Sequence, residues 1–121
     1  MLYQAKIDLS AKNNSHTLAH DAITSLLNNK QGRILDVGCS SGYFGASLRE
    51  YGHVVWGIEP FQNAAQAASE VLDQVYVGDI QSFFNNFPNE RFDVIVFGDV
   101  LEHIANPVAI LDECRGFLNP N

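Results

Sequence analysis

Four times along this chain, a short apolar run that stops at a glycine or an acid is followed by a segment whose apolar residues recur at helical spacing. That alternation leaves few folds open. Strands joined through helices run parallel, because each crossover carries the chain back to the same end of the sheet. Right-handed crossovers then place helices on both faces. The expected fold class is α/β, a doubly wound and mostly parallel sheet. In such sheets ligands bind beyond the carboxyl ends of the strands, so the residues at those ends carry the functional information.

Ala19, Ala22, Ile23, Leu26 and Leu27 predict an amphipathic helix over roughly Ser15 to Asn29, closed by Gln31-Gly32. Arg33 to Gly38 reads as a buried strand, and Phe44, Leu48 and Tyr51 mark a helix stopped at Gly52. His53 to Ile58 is a second strand, followed by an alanine-rich helix over Phe61 to Leu72. Gln74 to Val77 is a third, leading into a weak helix over Ile80 to Phe84. Arg91 to Phe97 is apolar on both faces, which suits a strand between two helical layers. Asn106-Pro107 starts the last helix, where Asn accepts from free amides and Pro occupies the first turn without losing a bond. Leu111, Cys114 and Leu118 are its expected buried face.

A chain of 121 residues buries roughly two-thirds of its unfolded surface, enough for one domain over 1–121 without staples. No run approaches the ~20 apolar residues of a membrane span. Met1 to Ser10 carry Lys6 and Asp8 in place of a signal peptide's apolar core. No membrane partner and a cytoplasmic location are therefore expected. Cys39 and Cys114 lie in different elements without neighbours at metal-ligand spacing, which predicts reduced, structural thiols and no metal. The net charge is −7 and the seven basic residues do not cluster. A phosphate backbone needs a concentrated basic face, so nucleic acid is not an expected partner, whereas a cationic ligand is well tolerated.

The first strand runs into Asp36-Val37-Gly38-Cys39-Ser40-Ser41-Gly42-Tyr43-Phe44. Glycines at 38 and 42 suit a sharp turn with close ligand approach, and the helix behind them presents free amides. The second strand ends in Glu59-Pro60, seventeen residues beyond Gly42, where an acid can accept from ribose hydroxyls. The third ends in Gly78-Asp79-Ile80, where the acid can pair with an exocyclic amine or simply cap the next helix. The fourth ends in Gly98-Asp99. Acids at four consecutive strand ends describe a nucleoside pocket with a negative lining.

The stretch from Ile34 to Gly42 resembles the first motif of class I S-adenosylmethionine (SAM) dependent methyltransferases, hydrophobic-hydrophobic-Asp-x-Gly-x-Gly-x-Gly, with Ser40 where the family most often has Gly. Phe92 to Phe97 with Leu101-Glu102-His103 is similar to the fourth-strand motif of the small-molecule branch of that superfamily. The resemblance covers about Arg33 to Leu118 and implies a Rossmann-like fold with SAM as cofactor. It implies that the loop from Gly38 to Gly42, with Cys39 and Ser40, faces the methionine moiety, and that Asp36, Tyr43 and Phe44 also bind the cofactor. Glu59 with Pro60 would then hold the ribose, Asp79 and Ile80 the adenine, and Gly98 and Asp99 would lie near the amino acid end.

Methyl transfer from a sulfonium demands orientation more than proton transfer, so no universal catalytic residue is expected. His103 is the side chain best placed to act as a base if the acceptor must lose a proton, and a structural cap is its other reading. The expected acceptor is a small molecule, such as a sugar or an aromatic hydroxyl. In the resembled family three more strands follow the helix that ends near Leu118. The chain is therefore expected to be the cofactor-binding half, with its fourth strand at a sheet edge that invites self-association. Two other functions stand beside this one. The first is a SAM-binding scaffold without catalysis. The second is an NAD-dependent oxidoreductase, disfavoured because its G-x-G-x-x-G turn is replaced by Gly38-x-x-x-Gly42-x-x-Gly45.

Overall fold

The computed structural model describes residues 15–98 and 100–120, so the expected cofactor residue Asp99 lies outside the described residues. Helix α1 spans Ser15–Leu26, strand β1 Arg33–Val37, helix α2 Tyr43–Glu50 and strand β2 Val54–Glu59. They are followed by α3 Gln62–Ser69, β3 Gln74–Val77, α4 Ile80–Asn86, β4 Val94–Phe97 and α5 Pro107–Cys114. The strands form one sheet in the order β3-β2-β1-β4, and every pairing is parallel. The expected α/β architecture is thus the observed one.

Alternate residues of each strand feed opposite layers, as the pleat requires. Ile34, Val55, Val94 and Val96 pack with Ala19 and Ile23 of α1, Phe44 and Leu48 of α2, and Ala68 of α3. Leu35, Val37, Ile58, Ile95 and Phe97 pack with Ile80, Phe83 and Phe84 of α4 and with Ile110 and Cys114 of α5. The helices therefore divide between the two faces, which explains why these strands read as unbroken apolar runs. The four side chains of β4 are all buried although the strand borders only β1 in the sheet.

Several helix ends differ from expectation: α3 stops at Ser69, short of Leu72, and α4 runs on to Asn86. The first helix stops at Leu26, because Asn28 and Asn29 take left-handed φ values of 52° and 63°, a conformation Asn tolerates better than most residues. The last helix stops at Cys114, tightens into a 3₁₀ turn over Arg115–Phe117, and does not include Leu118 in its buried face. Leu118 instead forms a parallel bridge with Phe92. Phe92 N donates to Phe117 O at 2.8 Å and Asn119 N donates to Phe92 O at 2.8 Å. The Phe117 ring, stacked on Phe84 with centroids 3.9 Å apart, anchors this turn.

Candidate functional site

Strand register brings the sequence-predicted residues to one edge. Val37 lies level with Ile58 on one side and Phe97 on the other, and Glu59 with Val77. From this edge the chain leaves β1 through a loop in which Gly38, Ser40 and Gly42 all have positive φ, at 78°, 53° and 88°. Gly38 N and Cys39 N both donate to Ile58 O, at 2.8 and 3.0 Å, which ties the start of the loop to β2. A methyl at position 38 would come within 2.4 Å of Val100 Cγ1, and a methyl at 42 within 3.0 Å of the Ala68 Cα. Both positions therefore need glycine for space as well as for backbone conformation.

Glu59 is buried, 6% exposed, and organises the loop. Its Oε1 accepts from Ser40 N at 2.8 Å and its Oε2 from Phe61 N at 3.1 Å. One carboxylate thus joins the glycine turn to the first turn of α3. Each oxygen keeps lone-pair capacity beyond the amide it already serves, so ribose hydroxyls could share the same group. Asp36, 2% exposed at the end of β1, is sealed more completely. Its Oδ1 is buried with no hydrogen-bond partner among the described residues. Burial pushes its carboxyl up to about 7, and the negative Glu59 beside it adds to the rise. Burial likewise pushes the Cys39 thiol up to about 12, with the charges of Asp36 and Glu59 contributing. Cys39 is thus a neutral packing group whose sulfur lies against Gly57.

The remaining predicted residues are placed differently from one another. Gly98 joins the loop: its N donates to Val37 O at 2.9 Å, and a methyl there would sit 3.0 Å from Gly38 O. Pro60 and Tyr43 are exposed beside it, Pro60 at the bend after β2 and Tyr43 opening α2. Phe44 and Ile80 have side chains in the core, so only their backbones reach the edge. Asp79 is exposed one residue beyond Gly78, whose N donates to Glu59 O at 3.1 Å. Its Oδ1 caps α4 by accepting from Ser82 N at 2.8 Å. His103 is exposed in a 3₁₀ turn over Leu101–His103, its N donating to Val100 O. Sequence reasoning missed Phe61, whose ring is 74% exposed beside Glu59, and Val100, which closes against Gly38. An aromatic directly after Glu-Pro at a helix start was the available signal for Phe61.

A cavity of about 180 Å³ between α3 and β3, lined by Gln62, Ala65, Gln66, Ser69, Val75 and Val77, contains no titratable side chain and none of the predicted residues. Among the described residues no three His, Cys, Asp or Glu side chains gather as a metal site.

A parallel sheet with helices on both faces, a glycine turn after β1 and a carboxylate closing β2 define a doubly wound α/β domain. Within that class the chain belongs to a methyltransferase domain family, whose model matches residues 10–121. It is similar to the ubiquinone biosynthesis O-methyltransferase of Histophilus somni, 34% identical over 98 residues that cover 74% of this chain and 41% of that protein. The same enzyme of Haemophilus ducreyi is 31% identical over 98 residues, 74% of this chain and 42% of that protein. The chain thus spans about two-fifths of the length of these relatives. Among solved structures, the plantazolicin methyltransferase BpumL in complex with SAH superposes with a TM-score of 0.75 at 21% identity, over 87% of this chain and 43% of that one. The family membership removes the oxidoreductase alternative.

Proposed function

We propose that residues 1–121 are a single cofactor-binding domain, the half of a SAM-dependent methyltransferase that holds the methyl donor for a small-molecule acceptor. The observation that carries this reading is the Glu59 carboxylate, buried at the strand edge and bridging Ser40 N and Phe61 N, with the unpartnered Asp36 Oδ1 behind it. The donor set fits the cofactor: carboxylates for hydroxyls and positive charge, a close-approach backbone at Gly38 and Gly42, and an exposed ring at Phe61 for a flat base. SAM, when bound, supplies a methyl group on a positively charged sulfur.

The chain's own contribution is then orientation. Asp36, Gly38, Cys39, Ser40, Gly42, Tyr43 and Gly98 surround the amino acid end, joined by Asp99 from outside the described residues. Glu59 and Pro60 receive the ribose, and Asp79 with the Ile80 backbone receives the adenine. The names of the relatives favour a hydroxyl oxygen as acceptor. The net charge of −7 without a basic cluster argues against nucleic acid. Two free, buried cysteines fit a cytoplasmic protein, and no described helix is long and apolar enough to cross a membrane. The outer edge of β4 offers a surface for self-association.

Thermal melting with S-adenosylhomocysteine or NAD tests the reading. A ligand that binds only the folded chain adds about 2.7 kcal/mol at a hundredfold excess over its Kd. Stabilisation by S-adenosylhomocysteine and none by NAD is expected; stabilisation by NAD alone contradicts it.

A further inference from the structure

The chemistry of the site raises a question that its geometry answers. A cationic ligand is to enter beside two buried acids, yet among the described residues no Lys, Arg or His is paired with either. The charge that acts on Asp36 is that of Glu59 at the end of β2, and it is negative. The Cys39 thiol in the glycine loop feels both carboxylates and is held neutral. Glu59 has amide donors on both oxygens, whereas Asp36 has a buried oxygen that nothing serves. A buried carboxylate beside another carboxylate, without donor or counterion, is held more cheaply as the neutral acid.

We propose, on the reading that this edge receives SAM, that the Asp36–Glu59 pair couples cofactor binding to proton release. In the empty site Asp36 is the protonated member, kept neutral by its seal against water, while both Glu59 oxygens accept amide donors. Arrival of the positively charged ligand supplies the counterion that Asp36 lacks. The O–H bond of its carboxyl then breaks, the proton leaves to solvent, and the carboxylate pairs electrostatically with the ligand. Atoms and charge balance without any further reactant. The site therefore gains one negative charge when it fills. Ligand charge, rather than shape alone, becomes a quantity the site measures. SAM, with its sulfonium, releases more proton than S-adenosylhomocysteine, which carries the same ammonium and carboxylate but a neutral sulfur.

Two measurements on the intact chain test this. Carbon-13 NMR of labelled aspartate, assigned by the signal missing from Asp36→Asn, reads the carboxyl directly. It is expected to be protonated in the free chain at pH 6 and ionised after SAM is added. Titration calorimetry with SAM at pH 6, in two buffers of different ionisation enthalpy, reads the released proton. The apparent heat is expected to differ between the buffers, less so with S-adenosylhomocysteine, and not at all in Asp36→Asn. Wild-type affinity for SAM is expected to fall about tenfold for each pH unit well below the titration of the carboxyl. SAM binding without buffer dependence, or an Asp36 signal already ionised in the free chain at pH 6, overturns the coupling and leaves the SAM site standing. Absence of any binding overturns both.

Discussion

At the end of β1 one carboxyl sits sealed from water with an oxygen that no donor reaches, and its consequence for stability has a definite sign. The Asp36 carboxyl is raised from 3.8 to about 7, so between those values the folded chain holds a proton that the unfolded chain has released. Stability is then lost as pH rises through this window, on the order of 1 kcal/mol for each pH unit, and levels off above about 7. Asp36→Asn, the nearest neutral mimic, is expected to melt higher than wild type at pH 8 and to lose most of that advantage at pH 5. An equal advantage at both pH values would contradict the assignment. Gly38→Ala adds a methyl against Val100 at φ +78°, and urea titration is expected to show a loss of roughly 1–3 kcal/mol from backbone strain together with overpacking. Much of this was legible in the sequence. Asp36, Gly38, Gly42 and Glu59 stand where motif spacing put them, because the turn after β1 cannot be built otherwise. The left-handed φ of Ser40 explains why the resembled family most often has glycine there. The orphan oxygen of Asp36 was not legible, since it depends on what three strands enclose.

Helix termini show the same division at the level of whole elements. Asn106 Oδ1 accepts from Ala109 N at 3.1 Å and Pro107 opens α5, as the Asn-Pro pair predicted. Asp79 caps α4 in the same manner, one oxygen accepting from Ser82 N. Asp79→Ala is expected to lower stability by about 1 kcal/mol in denaturant titrations, while Asp79→Asn, which retains a capping oxygen, is expected to lose only a few tenths. Equal losses would mean the cap contributes nothing. The early ends of α1 at Leu26 and α5 at Cys114 have local causes that periodicity cannot register. Leu118 continues the helical spacing of Leu111 and Cys114, but the strand-like bridge to Phe92 satisfies its backbone elsewhere. The start of β1 is also held by tertiary contacts. The Arg33 guanidinium lies 5.0 Å from the Trp56 ring centroid and 4.9 Å from that of Phe92 while pairing with Glu90 at 3.1 Å.

Across the whole molecule, two apolar layers enclose a sheet whose strands all end at the same edge, and this places the two acids and the glycine loop together. Alternation of strand and helix made that architecture readable, whereas strand order and the division of helices between faces follow only from tertiary packing. β4 borders β1 on one side, and among the described residues its other side is met only near Phe92, by Leu118. An open parallel edge with fully buried side chains is prone to pairing. Sedimentation velocity on the 121-residue chain is expected to show a weight-average mass that rises with concentration, and a single monomeric species at high concentration would argue against that surface. The claim on which the functional reading depends is narrower: that the edge organised by Glu59 is a SAM site. Calorimetric titration of wild type and Glu59→Ala with SAM, with NAD as control, addresses it directly. Micromolar binding of SAM by wild type, lost in a folded Glu59→Ala and absent for NAD, is the expected result. Binding that survives the loss of Glu59, or binding of NAD alone, would contradict it.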